Sequence, residues 1–192
     1  MLIEKAIELT GKKINNVDAL EVGQGHNPVI NQFKFKKHFY LDKETSVGHD
    51  NYLKGDLCQY EFTHKFDLIY ESLCWHENTG KRWKNFLASV FDLLKPGGVF
   101  ISRHAILNKK MVFSEAHHFF NKTTNELYCL KGERPIRFVP PSIEIEGAVS
   151  EIGLNIIYLM APLNKKVIID RNDSIPRQTD PDLLELICRK NN

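Results

Sequence analysis

Apolar positions recur along this chain in two rhythms, one helical and one of short continuous runs. Leu2, Ile3, Ala6, Ile7 and Leu9 share a helical face, and Gly11 is placed to end a helix over 2–10. Short apolar runs with strand character follow at 19–22, at 38–41 ending in Asp42, and at 66–70, with a weaker one at 51–54. Residues 28–35 read as a helix with Asn27 as N-cap and Pro28 at its first position. Trp83, Phe86, Leu87, Val90, Phe91 and Leu94 predict an amphipathic helix over 80–94. Pro96, Gly97 and Gly98 then turn the chain into a strand at 99–101, and late strands are expected at 155–159 and 183–188. Strands alternating with helices predict an α/β fold on a mainly parallel sheet. In such sheets ligands bind beyond the carboxyl ends of the strands, so the residues just after each early strand are the ones to interrogate.

Composition narrows the class. With 192 residues and 42% hydrophobic content, the chain is expected to form one domain over 1–192. A net charge of +2 is too small to imply a nucleic-acid surface, and no run approaches the roughly 20 apolar residues of a membrane span. With charges at Glu4 and Lys5 and no long apolar run, the N-terminal segment is not expected to be a signal peptide. Cys58, Cys74, Cys129 and Cys188 form no CxxC pair, which suggests neither a zinc site nor a disulfide framework and fits a reducing cytoplasm. Oligomeric state is not legible.

The chemistry gathers after the early strands. Glu21, Gly23, Gln24 and Gly25 form a glycine turn after the first strand, where the backbone can approach a ligand closely. Asp42, at the end of the second strand, can accept hydrogen bonds from vicinal ribose hydroxyls, each contributing roughly 1.5–3 kcal/mol. Asp56 can accept from an adenine amino group, with Leu57 as an apolar wall. After the fourth strand, residues 71–77 bunch polar and aromatic groups where a reaction centre would sit. Among them His76 is the candidate general base, because it titrates near neutrality. Residues 108–140, with Phe113, His117, His118, Phe119, Phe120 and Tyr128, are a candidate acceptor-site segment. The same spacing also fits an amphipathic helix that buries Phe119 or Phe120; on such a helix the adjacent His117 and His118 diverge, so no metal site is expected.

The order of these pieces is more specific than any one of them. Acid-x-Gly-x-Gly at 21–25, the strand-end Asp42, Gly55-Asp56-Leu57, Phe66 to Glu71 and Leu94 to Gly98 occur in that sequence. This resembles the class I S-adenosylmethionine-dependent methyltransferases over roughly 17–160. Cys74-Trp75-His76, Arg82 and Phe86-Leu87 are similar to the tellurite-resistance and thiopurine type of small-molecule methyltransferase. The resemblance implies a Rossmann-like, mainly parallel seven-stranded sheet whose last strand, 183–188, is antiparallel, with helices on both faces. It implies S-adenosylmethionine as cofactor and a small-molecule acceptor. Glu21, Gly23, Gln24 and Gly25 would lie under the methionine part, Asp42 at the ribose, Asp56 and Leu57 around the adenine, and Glu71 and Ser72 near the methionine amino group and sulfonium. Two readings compete. A nicotinamide-dependent oxidoreductase also uses a glycine turn and a strand-end acid, but Pro28 stands where its third glycine is expected. A non-catalytic methyltransferase-like binding domain is the other.

Overall fold

The computed structural model describes residues 2–23, 28–44, 51–107, 118–129, 134–163, 165–167 and 180–191, without the side chains of His118 and Cys129. Helix α1 (Leu2–Thr10) buries Ile3 and Ala6 and ends at Gly11, whose φ of +68° suits the residue after a helix. Strands β1 (Asp18–Val22), β2 (Lys37–Asp42), β3 (Tyr52–Lys54) and β4 (Phe66–Ser72) follow, then α2 (Arg82–Leu93) and β5 (Leu94–Ile106). After them come β6 (His118–Asn121), β7 (Glu126–Cys129), β8 (Pro135–Phe138), α3 (Ser142–Glu151), β9 (Leu154–Met160) and β10 (Asp182–Lys190).

Seven strands form one sheet in the order β3-β2-β1-β4-β5-β10-β9. β1 to β5 pair in parallel, and β10 runs antiparallel to both β5 and β9. The strands β1, β4 and β5 are buried on both faces, so they read as near-continuous apolar runs. One face packs Ile3 and Ala6 of α1 against Ala19, Leu68, Val99 and Ile101. The other packs Trp83, Phe86, Leu87 and Val90 of α2, and Ile145 and Val149 of α3, against Leu20, Ile69 and Phe100. Each buried Val, Leu, Ile and Phe among them contributes roughly 1.5–3 kcal/mol. The expected mainly parallel sheet, antiparallel last strand and helices on both faces are all observed. No helix among the described residues is long and apolar enough to cross a membrane.

Three elements differ from expectation. Residues 28–35 form no α-helix, only a short turn at Ile30–Gln32. Val29, Ile30, Asn31 and Phe33 are poor helix formers. The N–H groups of Val29 and Ile30, which would start a helix, donate instead to the Glu21 carboxylate at 2.9–3.0 Å. Second, the Pro96 to Gly98 turn sits inside β5 as a bulge, where pairing jumps from Phe66–Leu94 to Leu68–Val99. Third, Phe119 and Phe120 lie on a strand rather than a helix: β6, β7 and β8 form a separate antiparallel three-stranded sheet. Strand alternation sends Phe120 against Ala105, Val139 and Leu183 and leaves Phe119 exposed. Phe113 and His117 lie outside the described residues.

At the end of the sheet opposite the strand exits, Asp67 accepts from Lys12 Nζ at 2.6 Å, Lys95 Nζ at 2.9 Å and the Asp18 N–H at 2.9 Å. Burial alone would raise the Asp67 pKa, but the Asp18 N–H and the two ammonium groups outweigh it and hold the carboxyl below its ordinary value. A depressed folded-state pKa contributes stability that is complete above the unfolded value and lost as pH falls through the folded one. Both lysines are partly exposed, which screens the pairs. Asp67→Asn is therefore expected to cost about 1–3 kcal/mol at neutral pH. Urea denaturation of parent and variant should show the gap closing as pH falls below the ordinary carboxylate value of 3.8 and through the depressed folded-state one; a gap that persists once the carboxyl is protonated contradicts the assignment.

Candidate active site

The exits of β1, β2, β3 and β4 enclose a cleft of about 530 Å³. That lies within the roughly 300–1,000 Å³ range of small-molecule sites. At the β1 exit, Gly23 adopts φ +67° and donates its N–H to the Leu41 carbonyl at 2.8 Å. It passes so close to Cys74 that a Cβ would lie 2.4 Å from the Cys74 Cβ. Gln24 and Gly25 lie outside the described residues. Glu21 is buried and absent from the cleft wall; burial raises its pKa against the two N–H donors it holds. Its carboxylate shapes the return of the chain at Val29 and Ile30.

At the β2 exit, Asp42 lines the cleft and accepts the Glu44 N–H at 2.9 Å, which fixes its carboxylate at the rim. The Asp42 carbonyl accepts from Gly55, so β2 and the β3 exit move as one wall. Asp56 and Leu57 line that wall as expected. Burial would raise the Asp56 pKa, but the Cys58 N–H at 3.1 Å, Lys43 at 3.4 Å and an ion pair with Arg82 hold it below the ordinary value.

The β4 exit is the most constrained. Glu71 is fully buried, and its oxygens accept from the N–H groups of Cys74 at 3.0 Å and Trp75 at 3.1 Å and from the Ser102 hydroxyl. Desolvation outweighs these bonds and lifts its pKa to about 7. Glu71 and the half-buried Ser72 are not among the cleft-lining residues. Leu73 takes a left-handed φ of +59°, rare for a branched residue, and is pinned by its N–H to the Arg103 carbonyl at 2.8 Å. Burial and the nearby Glu71 and Glu77 push the Cys74 thiol up, so it stays protonated and is no nucleophile. The turn Trp75–Glu77 packs beneath β8, where Phe138 stacks on Trp83 with ring centroids 4.6 Å apart. β8 also delivers Arg137 to the cleft, 3.3 Å from Glu77.

His76 lies behind this wall rather than on it, 4% exposed. Burial, together with the neighbouring His104 and Arg137, drives its pKa well below the ordinary histidine value. Its ring meets that of His104, on β5, at 5.9 Å. Sequence reasoning passed over Lys43, Asn78 and His104, while Glu77 and Arg137 fall inside the 71–77 and 108–140 segments it singled out. The available signal was the polar run Ser102-Arg103-His104, set between the apolar stretches 99–101 and 105–107.

No family model matches the sequence, and no curated protein matches it. Solved structures do. An S-adenosylmethionine-dependent methyltransferase from Clostridium acetobutylicum superposes with a TM-score of 0.67 at 16% identity, covering 100% of this chain and 89% of that one. A putative methyltransferase from Bacillus halodurans gives 0.65 at 14%, covering 99% of each chain. The 1,6-didemethyltoxoflavin-N1-methyltransferase of Burkholderia thailandensis, solved with that acceptor and S-adenosylhomocysteine bound, gives 0.66 at 13%, covering 100% and 77%. At these identities the likeness is one of architecture, and the chain carries the Rossmann-like fold of the class I methyltransferases.

Proposed function

We propose that the cleft binds S-adenosylmethionine and that the protein transfers its methyl group to a small-molecule acceptor. The observation that carries this reading is the charge of the site. Among the described residues four carboxylates line the cleft, from Asp42, Glu44, Asp56 and Glu77, against Lys43 and Arg137. Lys43 and Arg82 are already paired to Asp56 and Arg137 to Glu77, which leaves Asp42 and Glu44 as the excess negative charge. Such a lining attracts a sulfonium cation and repels a pyrophosphate. A dinucleotide site also needs free N–H groups at a helix start after β1. Here that helix is replaced by a turn, and Glu21 holds the Val29 and Ile30 N–H groups. The solved structures with S-adenosylhomocysteine bound support the same choice.

In this reading Asp42 holds the ribose hydroxyls, Asp56 and Leu57 frame the adenine, and Gly23 lies beneath the methionine part. Glu71 and Ser72 act from behind: Glu71 ties down the Cys74 and Trp75 backbone that faces the methionine end. The cofactor supplies an activated methyl group together with its own leaving group, so the chain's task is mainly positioning. Where the acceptor carries a proton, the imidazole pair of His76 and His104, kept neutral by burial, is the base.

Asp42→Ala tests the placement. Losing its charge-assisted bonds should lower affinity for S-adenosylhomocysteine about tenfold or more in calorimetric titration. Unchanged affinity, with an unchanged circular dichroism spectrum, means that the ribose is held elsewhere.

A further inference from the structure

Three buried polar atoms on and beside the Trp75–Glu77 turn have no partner among the described residues: His76 Nδ1, His104 Nε2 and Asn78 Oδ1. Each belongs to a residue at most 4% exposed. Buried polar groups are nearly always paired, so a cluster of exceptions calls for an explanation. For two of the three, the chemistry of the empty valence is fixed. His104 Nδ1 lies 2.7 Å from the Ala105 carbonyl, which can only accept. Nδ1 therefore carries the ring hydrogen, and Nε2 presents a bare lone pair. Asn78 spends its amide donors on the Cys74 and Trp75 carbonyls at 3.3 and 3.2 Å, so its Oδ1 is likewise an acceptor without a donor. Both lone pairs ask for the same thing, an O–H or N–H group. Asn78 lines the cleft beside Glu77 and Arg137, and His76 and His104 stand behind it, their rings in contact at 5.9 Å.

We propose that His104, His76 and Asn78 form the acceptor subsite, built for a nucleophile that carries its own proton, a hydroxyl or an amine, with His104 Nε2 as the atom that receives that proton. Thiolates and metalloid oxyanions bring no donor and leave the lone pairs unmet. Burial keeps His104 neutral, with its pKa near 4, so the lone pair is open at neutral pH. In the transfer step, which rests on the methyltransferase reading, a bond forms between the acceptor heteroatom and the methyl carbon. The sulfur–carbon bond breaks with its electron pair staying on sulfur, and the heteroatom's proton passes to Nε2. His76, whose ring stands at 86° to that of His104, fixes the position of the His104 ring.

The subsite can be tested without knowing the natural acceptor. Protein labelled with 15N at its histidines, with His104 assigned by comparison with His104→Phe, is titrated with matched probes. These are phenol against anisole and aniline against N,N-dimethylaniline, each with and without S-adenosylhomocysteine. The expected result is an unprotonated Nε2 in the free protein. Its resonance moves saturably with phenol or aniline and stays still with the methylated partner, and His104→Phe binds that probe about tenfold or more weakly. The proposal is overturned if Nε2 carries the hydrogen, if both members of each pair act alike, or if no probe moves the signal, which would leave a site for ordered water only. Calorimetry with S-adenosylhomocysteine reports on the cofactor reading separately, so failure of one is distinguishable from failure of the other.

Discussion

Truncating Glu71 to alanine is expected to cost about 3–5 kcal/mol of folding stability. The change strands the Cys74 and Trp75 N–H groups and the Ser102 hydroxyl inside the protein, at roughly 1–3 kcal/mol for each unmet donor. Glu71→Gln keeps one oxygen for the two N–H groups and turns its amide toward Ser102, so its cost should be near 1 kcal/mol. The pH dependence separates the variants further. The folded-state pKa of Glu71, about 7, lies above its ordinary 4.5. The folded protein therefore binds the extra proton between those values, and stability falls as pH rises from one to the other, by up to about 3 kcal/mol. Glu71→Gln should flatten this slope in urea denaturation followed across mildly acid pH. A slope that survives in Glu71→Gln belongs to another group.

Gly23→Ala is the second large effect. A left-handed backbone costs a residue with a Cβ roughly 1–2 kcal/mol. The new methyl also meets the Cys74 Cβ at 2.4 Å and its Sγ at 2.5 Å, an overlap that adds about 1–3 kcal/mol. The expected total is about 2–5 kcal/mol, with loss of cofactor binding because the β1 and β4 exits are forced apart. The double variant Gly23→Ala/Cys74→Gly removes the clash and should leave only the backbone cost. Denaturation midpoints for the cycle check this, and an alanine variant as stable as the parent would show that the two exits do not touch.

The elements legible in the sequence were those whose burial pattern is simple. β1, β2, β4 and β10 are short apolar runs because neighbours cover them, and α2 shows its buried face at Trp83, Phe86, Leu87 and Val90. α3 was hidden because Ile143-Glu144-Ile145-Glu146 alternates like a strand and Gly147 interrupts it. The failed helix at 28–35 was decided by a tertiary contact from Glu21, which local propensity cannot show. The same limit applies at the site. Asp42, Asp56 and Leu57 reach the cleft because they end or closely follow a strand at its open end. Glu21 and Glu71 follow the same rule in sequence, yet their carboxylates turn to backbone N–H groups behind the wall. His104, Asn78 and Arg137 come from β5, the β4 exit and β8, far apart in the chain, so no single local motif shows that they belong together.

Calorimetric titration of the whole chain with S-adenosylhomocysteine and, separately, with NAD tests the central claim most directly. An acidic cleft with no helix start among the described residues after β1 predicts saturable binding of S-adenosylhomocysteine, weakened in Asp42→Ala, and no binding of NAD. Binding of NAD with none of S-adenosylhomocysteine would contradict it.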